Sequence, residues 1–437
     1  MTNKNFCAMG VMLLLVYGAL LPLIITNYNY GRAFSDQRQY YYPTILYFSQ
    51  HFGRVNITNY PSSDVLGFVP PATIPGYYLF LAMAHKWLSP SELALKVINS
   101  LFTAAFFLLA ARILSDKLDM LRVVTFCLPA LCSLYIHPAG VWLLPDNLSC
   151  LIVAVILYFL LHSSRGIKNY LLTAALLSVA VFIRQTNIWL ALPILVAGCN
   201  FPSEDGATIR FDASGIMSAV RKLLPPLLSI VPALGILLIF FLSWHGLVPP
   251  ALQERHQGIN LTIPAFFLSL FFTFSAFYLP YIWARLRPLS RRQVHFVISA
   301  FLLGLLLALI APTDYSYEQG RVSGLWNIVK IAPVYANRSA LITCLSPLGA
   351  AAMAICLLLV GKRPRWILLA GVVGFVLVNM ANKQAFERFY DGFIFIFLVF
   401  FSNLIWEKDN FQTNILQIVL PSVLTLYNLL VLVRALV

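Results

Sequence analysis

The sequence reads SDQRQYYYP at residues 35–43 and PPATIPGYY at residues 70–78. Both segments belong to the stretch Arg32–His85, which follows a first apolar segment at residues 8–26 and contains no apolar run of membrane length. A transmembrane helix needs about 20 predominantly apolar residues. The stretch is therefore predicted to form a long loop outside the bilayer, and its polar and aromatic composition indicates a functional one.

The rest of the chain has the composition of an integral membrane protein. Of 437 residues, 60% are hydrophobic and 11% charged, whereas about 25% charged is usual in a soluble domain. The net charge of +14 comes from short basic clusters between apolar runs. This distribution is typical of topology determinants rather than of a nucleic-acid surface, so membrane lipids are expected partners and nucleic acid is not.

About thirteen apolar segments bounded by charges and turn residues predict an all-α polytopic bundle, treated as a single domain of residues 1–437. The predicted spans are 8–26, 94–111, 123–137, 148–162, 169–183, 187–199, 223–243, 263–283, 294–311, 339–360, 366–381, 389–405 and 412–433. The third to sixth are short enough to be re-entrant or strongly tilted. The polar segment 200–222 is predicted to be a cytosolic linker.

A cytosolic N-terminus places the basic clusters at residues 285–292 and 362–365 in the cytosol, as the positive-inside rule requires. The opposite face then receives six polar stretches, at residues 32–85, 137–147, 184–187, 244–260, 312–338 and 382–388. This face is the predicted working face, exposed to the ER lumen or to the bacterial periplasm.

Asp36 emerges just after the first span and has two interpretations. Ser35 or Asp36 could cap a short helix that ends at Pro43. Alternatively, a carboxylate at the mouth of a membrane cavity is suited to accept a proton from an attacking sugar hydroxyl. The neighbouring Tyr40 and Tyr41 suit a sugar platform, although interfacial tyrosines are also common at membrane boundaries.

The polar quartet at residues 184–187 (RQTN) interrupts two apolar segments without room for a loop. An arginine there costs about 2–3 kcal/mol on insertion scales unless it snorkels or is paired. Either Arg184 snorkels to the interface, or it binds an anionic head group while Gln185 and Asn187 bond hydroxyls. Asp146, at the start of the fourth span, is interpreted as a helix N-cap.

Arg321, Glu387, Arg388 and His245 are further candidates, although each also fits a solvated loop or a local ion pair. Together, a carboxylate, arginines and amides on one face are the groups needed to bind a lipid phosphate and activate a hydroxyl. The seven cysteines form no CxxC pair, and the sequence contains no Gly-rich nucleotide loop and no metal-ligand spacing. We therefore expect neither a metal nor a cofactor.

Several segments resemble one family, the dolichyl-phosphate-glucose alpha-1,2-glucosyltransferases of lipid-linked oligosaccharide assembly. Residues 183–189 (IRQTNIW) resemble its Phe-Arg-Gln-Thr-Asn-Ile segment, and residues 73–77 (TIPGY) resemble its Thr-x-Pro-Gly-x-Tyr. Asp36 falls where the family has an acidic residue early in its first luminal loop. Residues 321–326 and 383–389 echo two further motifs, with departures: Gln37 replaces a Glu, and Glu387-Arg388 replaces Glu-x-Arg.

The resemblance implies a GT-C type bundle whose first exterior loop bears the catalytic acid. It also implies an inverting, metal-independent transfer of a hexose from a polyprenyl-phosphate sugar, carried by dolichol or by undecaprenol in a prokaryotic relative, to a glycan or lipid-linked acceptor. Asp36 would be the general base, and Arg184, Arg321 or Arg388 would hold the donor phosphate. Gln185, Asn187, Tyr40, Tyr41, His245 and Glu387 are assigned to the sugar or acceptor. The alternative is a lipid-linked-sugar flippase, which should carry charged residues through the middle of the bundle.

Overall fold

The computed structural model describes residues 3–29, 31–53, 69–163, 166–199, 213–283, 288–406 and 414–436. The described chain is almost entirely helical. In the first half the helices are α1 Asn3–Ile25, α2 Arg32–Asp36, α3 Tyr42–Gln50, α4 Gly76–Trp87, α5 Glu92–Leu114, α6 Met120–Leu131, α7 Ile136–Val141, α8 Asp146–His162, α9 Ile167–Ile183 and α10 Ala191–Gly198. In the second half they are α11 Ala213–Trp244, α12 Gln253–His256, α13 Ile263–Trp283, α14 Arg291–Ile310, α15 Leu325–Val329, α16 Ala340–Leu359, α17 Lys362–Asn379, α18 Asp391–Ile405 and α19 Leu416–Leu436.

Eight helices of the described chain are long and apolar enough to cross a membrane, which fits an all-α polytopic membrane protein. They cover Phe6–Ile25, Glu92–Leu114, Leu223–Trp244, Ile263–Ile282, Arg291–Ile310, Ala340–Leu359, Glu387–Ile405 and Leu416–Leu436. Eight of the thirteen predicted spans therefore coincide with helices of membrane length among the described residues. The third to sixth coincide with apolar helices of only 10–17 residues, as their short lengths in the sequence predicted.

Two predicted non-helical segments are largely helical where the structure describes them. The predicted linker 200–222 is helical from Ala213 onward, because α11 begins there; residues 200–212 lie outside the described residues. In the first exterior segment, α2, a π-helical turn at Gln37–Tyr41 and α3 run on continuously to Gln50. Residues 54–68 of that segment also lie outside the described part.

The helices pack around one continuous apolar core that contains residues from α1 through to α19. In the first half α1 packs on α5, and α9 packs on α11. In the second half α16 packs between α13 and α14. This packing fixes the ends of the helices, and therefore the polar segments that join them.

Gly349 marks the closest of these helix contacts. A Cβ at this position would lie 1.8 Å from the backbone oxygen of Leu268 in α13. We expect Gly349→Ala to destabilise the protein by about 1–3 kcal/mol, the usual cost of overpacking. Thermal unfolding in detergent measures this. Gly18→Ala in α1 is the control, because its Cβ would meet nothing within 4 Å; equal melting temperatures for the two variants would contradict the close contact.

The six polar stretches meet in one layer at one end of the bundle. Their cross-links are hydrogen bonds from the side chains of Gln185, Gln384 and Arg388, which reach Ala72, Leu247, Arg255, Glu318, Asp36 and Asp146. A two-stranded hairpin, β1 Val334–Tyr335 with β2 Arg338–Ser339, forms at the end of the polar stretch 312–338. The layer brings side chains from across the sequence to one cavity.

Candidate functional site: an ion-pair cluster in a membrane-end cavity

A cavity of about 700 Å³ lies in this polar layer, a size in the usual range for small-molecule sites. Its polar wall includes Asp36, Asp146, Arg184 and Arg388. Apolar side chains from candidate membrane spans line it as well, namely Leu237 of α11 and Leu432 and Leu436 of α19. The cavity wall is therefore amphiphilic, because it combines charged and hydrocarbon side chains.

Asp36 is placed at the cavity by an irregular helix. The π turn after it, Gln37–Tyr41, directly precedes Pro43, whose ring would otherwise meet the carbonyl of the previous helical turn. Pro43 therefore does not end the helix, contrary to prediction. Neither Ser35 nor Asp36 caps a helix through its side chain, so the N-cap interpretation of Asp36 is wrong.

Gln37 anchors this turn to the bundle. Its side chain is fully buried; Oε1 accepts a hydrogen bond from the Leu143 amide at 3.0 Å, and Nε2 donates to Glu92 at 2.7 Å. The resemblance placed a glutamate at this position in the family. In this chain, Gln37 is a structural residue that holds Asp36 in position.

Arg388 lies at the centre of the cluster. Its Nη1 donates to Asp36 Oδ2 at 2.9 Å, and its Nη2 and Nε donate to Asp146 Oδ2 at 3.0 and 3.2 Å. Nη2 also donates to the Tyr41 hydroxyl at 3.0 Å. Four hydrogen bonds therefore fix the guanidinium plane between two carboxylates, a geometry that a lysine cannot reproduce.

Asp146 is the site residue that sequence reasoning missed. It lies in the first turn of α8, but its side chain does not cap that helix. Instead, Oδ1 accepts from Arg184 Nη1 at 2.8 Å while Oδ2 accepts from Arg388. The available signal was electrostatic: two arginines predicted on the working face next to apolar segments need counter-ions, and Asp146 is an acidic residue predicted on that face.

Arg184 does not snorkel, because its side chain is 9% exposed and paired with Asp146. It ends α9 in an extended conformation, and a 3₁₀ turn, Gln185–Leu190, follows at once. Its guanidinium carbon lies 4.9 Å from the centre of the Phe389 ring. The snorkelling interpretation is therefore wrong, and Arg184 presents its charge inside the cavity.

Gln185 joins the first exterior segment to the cavity wall. Its Oε1 accepts from the Ile74 amide at 3.2 Å, and its Nε2 donates to the carbonyls of Ala72 at 2.8 Å and Leu247 at 3.1 Å. Next along the same segment, a Cβ on Gly76 would lie 2.2 Å from the Phe182 carbonyl oxygen. The segment 72–76 is thus held against Gln185 and against the end of α9.

Tyr40 and Tyr41 both line the cavity. The Tyr41 ring stacks on Tyr78 with centroids 5.7 Å apart and planes 14° from parallel. Burial raises the pKa of Tyr41 above its ordinary value, so the phenol keeps its proton. Because its oxygen already accepts from Arg388, the hydroxyl proton is available to a ligand.

The described cavity wall carries excess positive charge. It contains four arginines, Arg32, Arg184, Arg255 and Arg388, but only two aspartates. His256 also lines the wall; burial, together with the neighbouring Arg255 charge, lowers its pKa to about 4, so it is neutral at pH 7. The wall therefore has two unmatched positive charges and favours an anionic ligand.

Four predicted site residues lie elsewhere, since the described wall contains none of Arg321, Glu387, Asn187 or His245. Each has a different environment. Arg321 is 3% exposed and paired with Asp314 at 3.1 Å, and Glu387 accepts from the Leu325 amide below Gly324. Asn187 bonds Ser149 and the Ala180 carbonyl, and His245 is exposed at the end of α11. Their predicted contacts with phosphate, sugar or acceptor are therefore not supported by the geometry.

Comparison of the chain with protein-family models, with curated proteins and with solved structures gives no match. The resemblance to the glucosyltransferases therefore rests on the short sequence motifs.

Proposed function

We propose that the protein is an inverting glycosyltransferase that moves a hexose from a polyprenyl-phosphate sugar to a glycan or lipid-linked acceptor. The observation that carries this proposal is the cluster of Asp36, Arg388, Asp146 and Arg184 in the wall of a cavity that hydrocarbon side chains of candidate membrane spans also line. A lipid phosphate sugar likewise joins an anionic group and a sugar to a hydrocarbon chain.

In this proposal each part of the donor has a matching group in the cavity wall. The phosphate lies against Arg184 and Arg388, because planar guanidinium groups match phosphate oxygens. The polyprenyl chain runs along Leu237, Leu432 and Leu436, which belong to candidate membrane spans. The sugar then lies near Asp36, Tyr40 and Tyr41, whose rings suit a carbohydrate face.

In the transfer step the acceptor hydroxyl oxygen forms a bond to the anomeric carbon while the bond from that carbon to the phosphate oxygen breaks. The bonding pair leaves with the polyprenyl phosphate, whose charge the arginines stabilise. The hydroxyl proton passes to Asp36. Attack opposite to the leaving phosphate inverts the anomeric configuration.

Asp36 is better suited than Asp146 to receive this proton. Asp146 uses both of its oxygens on arginines, and its side chain is 10% exposed. Asp36 is 25% exposed, and among the described residues only its Oδ2 is engaged, by Arg388. The free oxygen of Asp36 can therefore reach a hydroxyl in the cavity.

The fold also supports the resemblance to the glucosyltransferase family. Two of its motifs, at residues 73–77 and 183–189, are about a hundred residues apart but touch through Gln185 and Ile74. Asp36 and Arg388, from two further matching segments, form an ion pair. We propose the GT-C class on this basis, with the cavity on the luminal or periplasmic face of an ER or bacterial inner membrane.

The deciding experiment incubates purified protein with a panel of polyprenyl-phosphate sugars and candidate acceptors, and follows release of the lipid phosphate. Release that depends on an acceptor supports the proposal and identifies the sugar. Movement of the intact donor across a vesicle membrane without release would instead identify a flippase.

Arg184→Ala should weaken donor binding by about tenfold to hundredfold, the size expected when a hydrogen bond to a charged group is lost. Binding of a polyprenyl-phosphate sugar to purified protein measures this. Arg38→Ala is the control, because Arg38 is on the neighbouring π turn but pairs with Glu92 outside the cavity. Unchanged affinity in Arg184→Ala would mean that Arg184 only neutralises Asp146.

A further inference from the structure

Asp146 forms ion pairs with two arginines, whereas Asp36, the other carboxylate of the cluster, pairs with one. It is 8% exposed, and both oxygens are occupied: Oδ1 by Arg184 at 2.8 Å, and Oδ2 by Arg388 at 3.0 Å. A carboxylate so placed offers no free oxygen to a substrate. Its chemistry must therefore act through the two arginines.

The two arginines come from distant parts of the chain and repel each other. Arg184 follows α9 directly, whereas Arg388 lies in the 3₁₀ turn Glu387–Phe389 before α18. Asp146 is the group that both contact, so it holds two like charges side by side at the cavity wall. Without it, Coulomb repulsion favours their separation.

The arginines keep donors for a ligand in this arrangement. Among the described residues, Arg184 uses only Nη1 in a hydrogen bond, so its Nε and Nη2 groups remain available. Arg388 has one N–H left on Nη1, since the other bonds Asp36. Both guanidinium groups line the cavity.

We propose that Asp146 is a positioning residue that holds Arg184 and Arg388 together as one binding site for the phosphate of an anionic lipid. This inference rests on the proposed polyprenyl-phosphate donor. It adds Asp146 to the donor site as a second carboxylate, which does not touch the substrate. A site built from two guanidinium groups distinguishes a phosphate from a hydroxyl head group, because only the phosphate offers several charged acceptor oxygens.

The test compares the affinity of purified wild-type protein and Asp146→Asn for a short polyprenyl phosphate and for the matching polyprenol. We expect the variant to bind the lipid phosphate about tenfold to hundredfold more weakly, as for a lost charge-assisted contact. Binding of the uncharged polyprenol should change less than about twofold. A loss of structure alone would weaken both ligands equally.

Whether Asp146→Asn weakens or strengthens lipid-phosphate binding distinguishes a positioning role of Asp146 from a purely electrostatic one. Removing a carboxylate makes the wall more positive, so tighter binding of the lipid phosphate would show that Asp146 merely competes with the ligand, and would overturn the proposal. Unchanged affinity would overturn it too. Asp391→Asn is the matched control. Asp391 is also buried in the first turn of an apolar helix, but it bonds Ser133 and does not line the cavity. An equal loss of phosphate affinity in Asp391→Asn would overturn the assignment of Asp146.

Asp146→Glu covers the case in which the Asn variant does not fold, because it retains the charge and can still pair the arginines. The added methylene displaces them, and we expect about threefold to tenfold weaker lipid-phosphate binding; wild-type affinity would count against positioning. These measurements need no sugar transfer. Lipid-phosphate binding that depends on Asp146, in a protein that releases no lipid phosphate from any sugar donor, would leave this inference standing and defeat the proposed glycosyltransferase.

Discussion

Asp36→Asn should reduce sugar transfer by about 10² to 10⁴, the contribution expected of a general base. The amide of Asn is close in shape to the carboxylate but cannot accept the hydroxyl proton. When the Asp36 carboxylate is lost, Arg388 is still bonded to Asp146 and Tyr41. Insertion and abundance should therefore be retained, and donor affinity should change little compared with the turnover number.

The measurement is single-turnover transfer by purified protein with saturating donor. Asp314→Asn is the control, since Asp314 is also an ion-paired carboxylate of the polar layer but pairs with Arg321 away from the cavity wall. Near-normal turnover by Asp36→Asn would end the assignment of Asp36 as the base. A similar loss in both variants would indicate a general effect of charge on this face.

Arg388→Ala should have the second large effect, because it removes four hydrogen bonds at once. We expect transfer to fall by about 10² to 10³, as when a group that stabilises developing charge is lost. Asp146 keeps its bond to Arg184, and Asp36 is partly exposed. The fall in stability should therefore be moderate, about 1–3 kcal/mol.

Transfer rate and thermal unfolding are measured together for Arg388→Ala, Arg388→Lys and Arg321→Ala. Arg388→Lys should recover little activity, because one ammonium group cannot bond two carboxylates and Tyr41 in a single plane. Arg321→Ala removes a more deeply buried ion-paired arginine, yet the geometry predicts lower stability with transfer per folded molecule within a few-fold of wild type. Loss of transfer in Arg321→Ala with unchanged activity in Arg388→Ala would reverse their roles and favour the motif-based assignment of Arg321.

Much of the architecture was accessible from local sequence. Apolar length and hydropathy are properties of short segments, so eight predicted spans coincide with helices of membrane length, and the short third to sixth spans coincide with short apolar helices. The segment after the first span was less accessible. Its polar and aromatic residues suggested a loop, but Gln37 and the π turn before Pro43 allow the helix to continue to Gln50.

Only half of the candidate site could be predicted from the sequence. The type of a residue and the face of the membrane on which it lies are local properties, but its ion-pair partner is not. Asp36, Arg184, Gln185 and Arg388 were chosen for their chemistry at span ends, and all line the cavity. Arg321 was chosen by the same reasoning, and Asp146 was dismissed as a cap. The residues next to Arg321 do not indicate that it pairs with Asp314. Those next to Asp146 do not indicate that it bridges two arginines.

By itself, the sequence determined that the chain is a helical membrane protein with its unusual polar residues at the ends of its apolar segments. The tertiary structure decided which of those residues meet. Asp36 and Arg388 are 352 positions apart, and Asp146 joins them to Arg184 only because the start of α8, the end of α9 and the turn before α18 lie next to one another. Helix formation follows from hydrogen bonds and burial along a segment, whereas the pairing of charges depends on how all the segments pack.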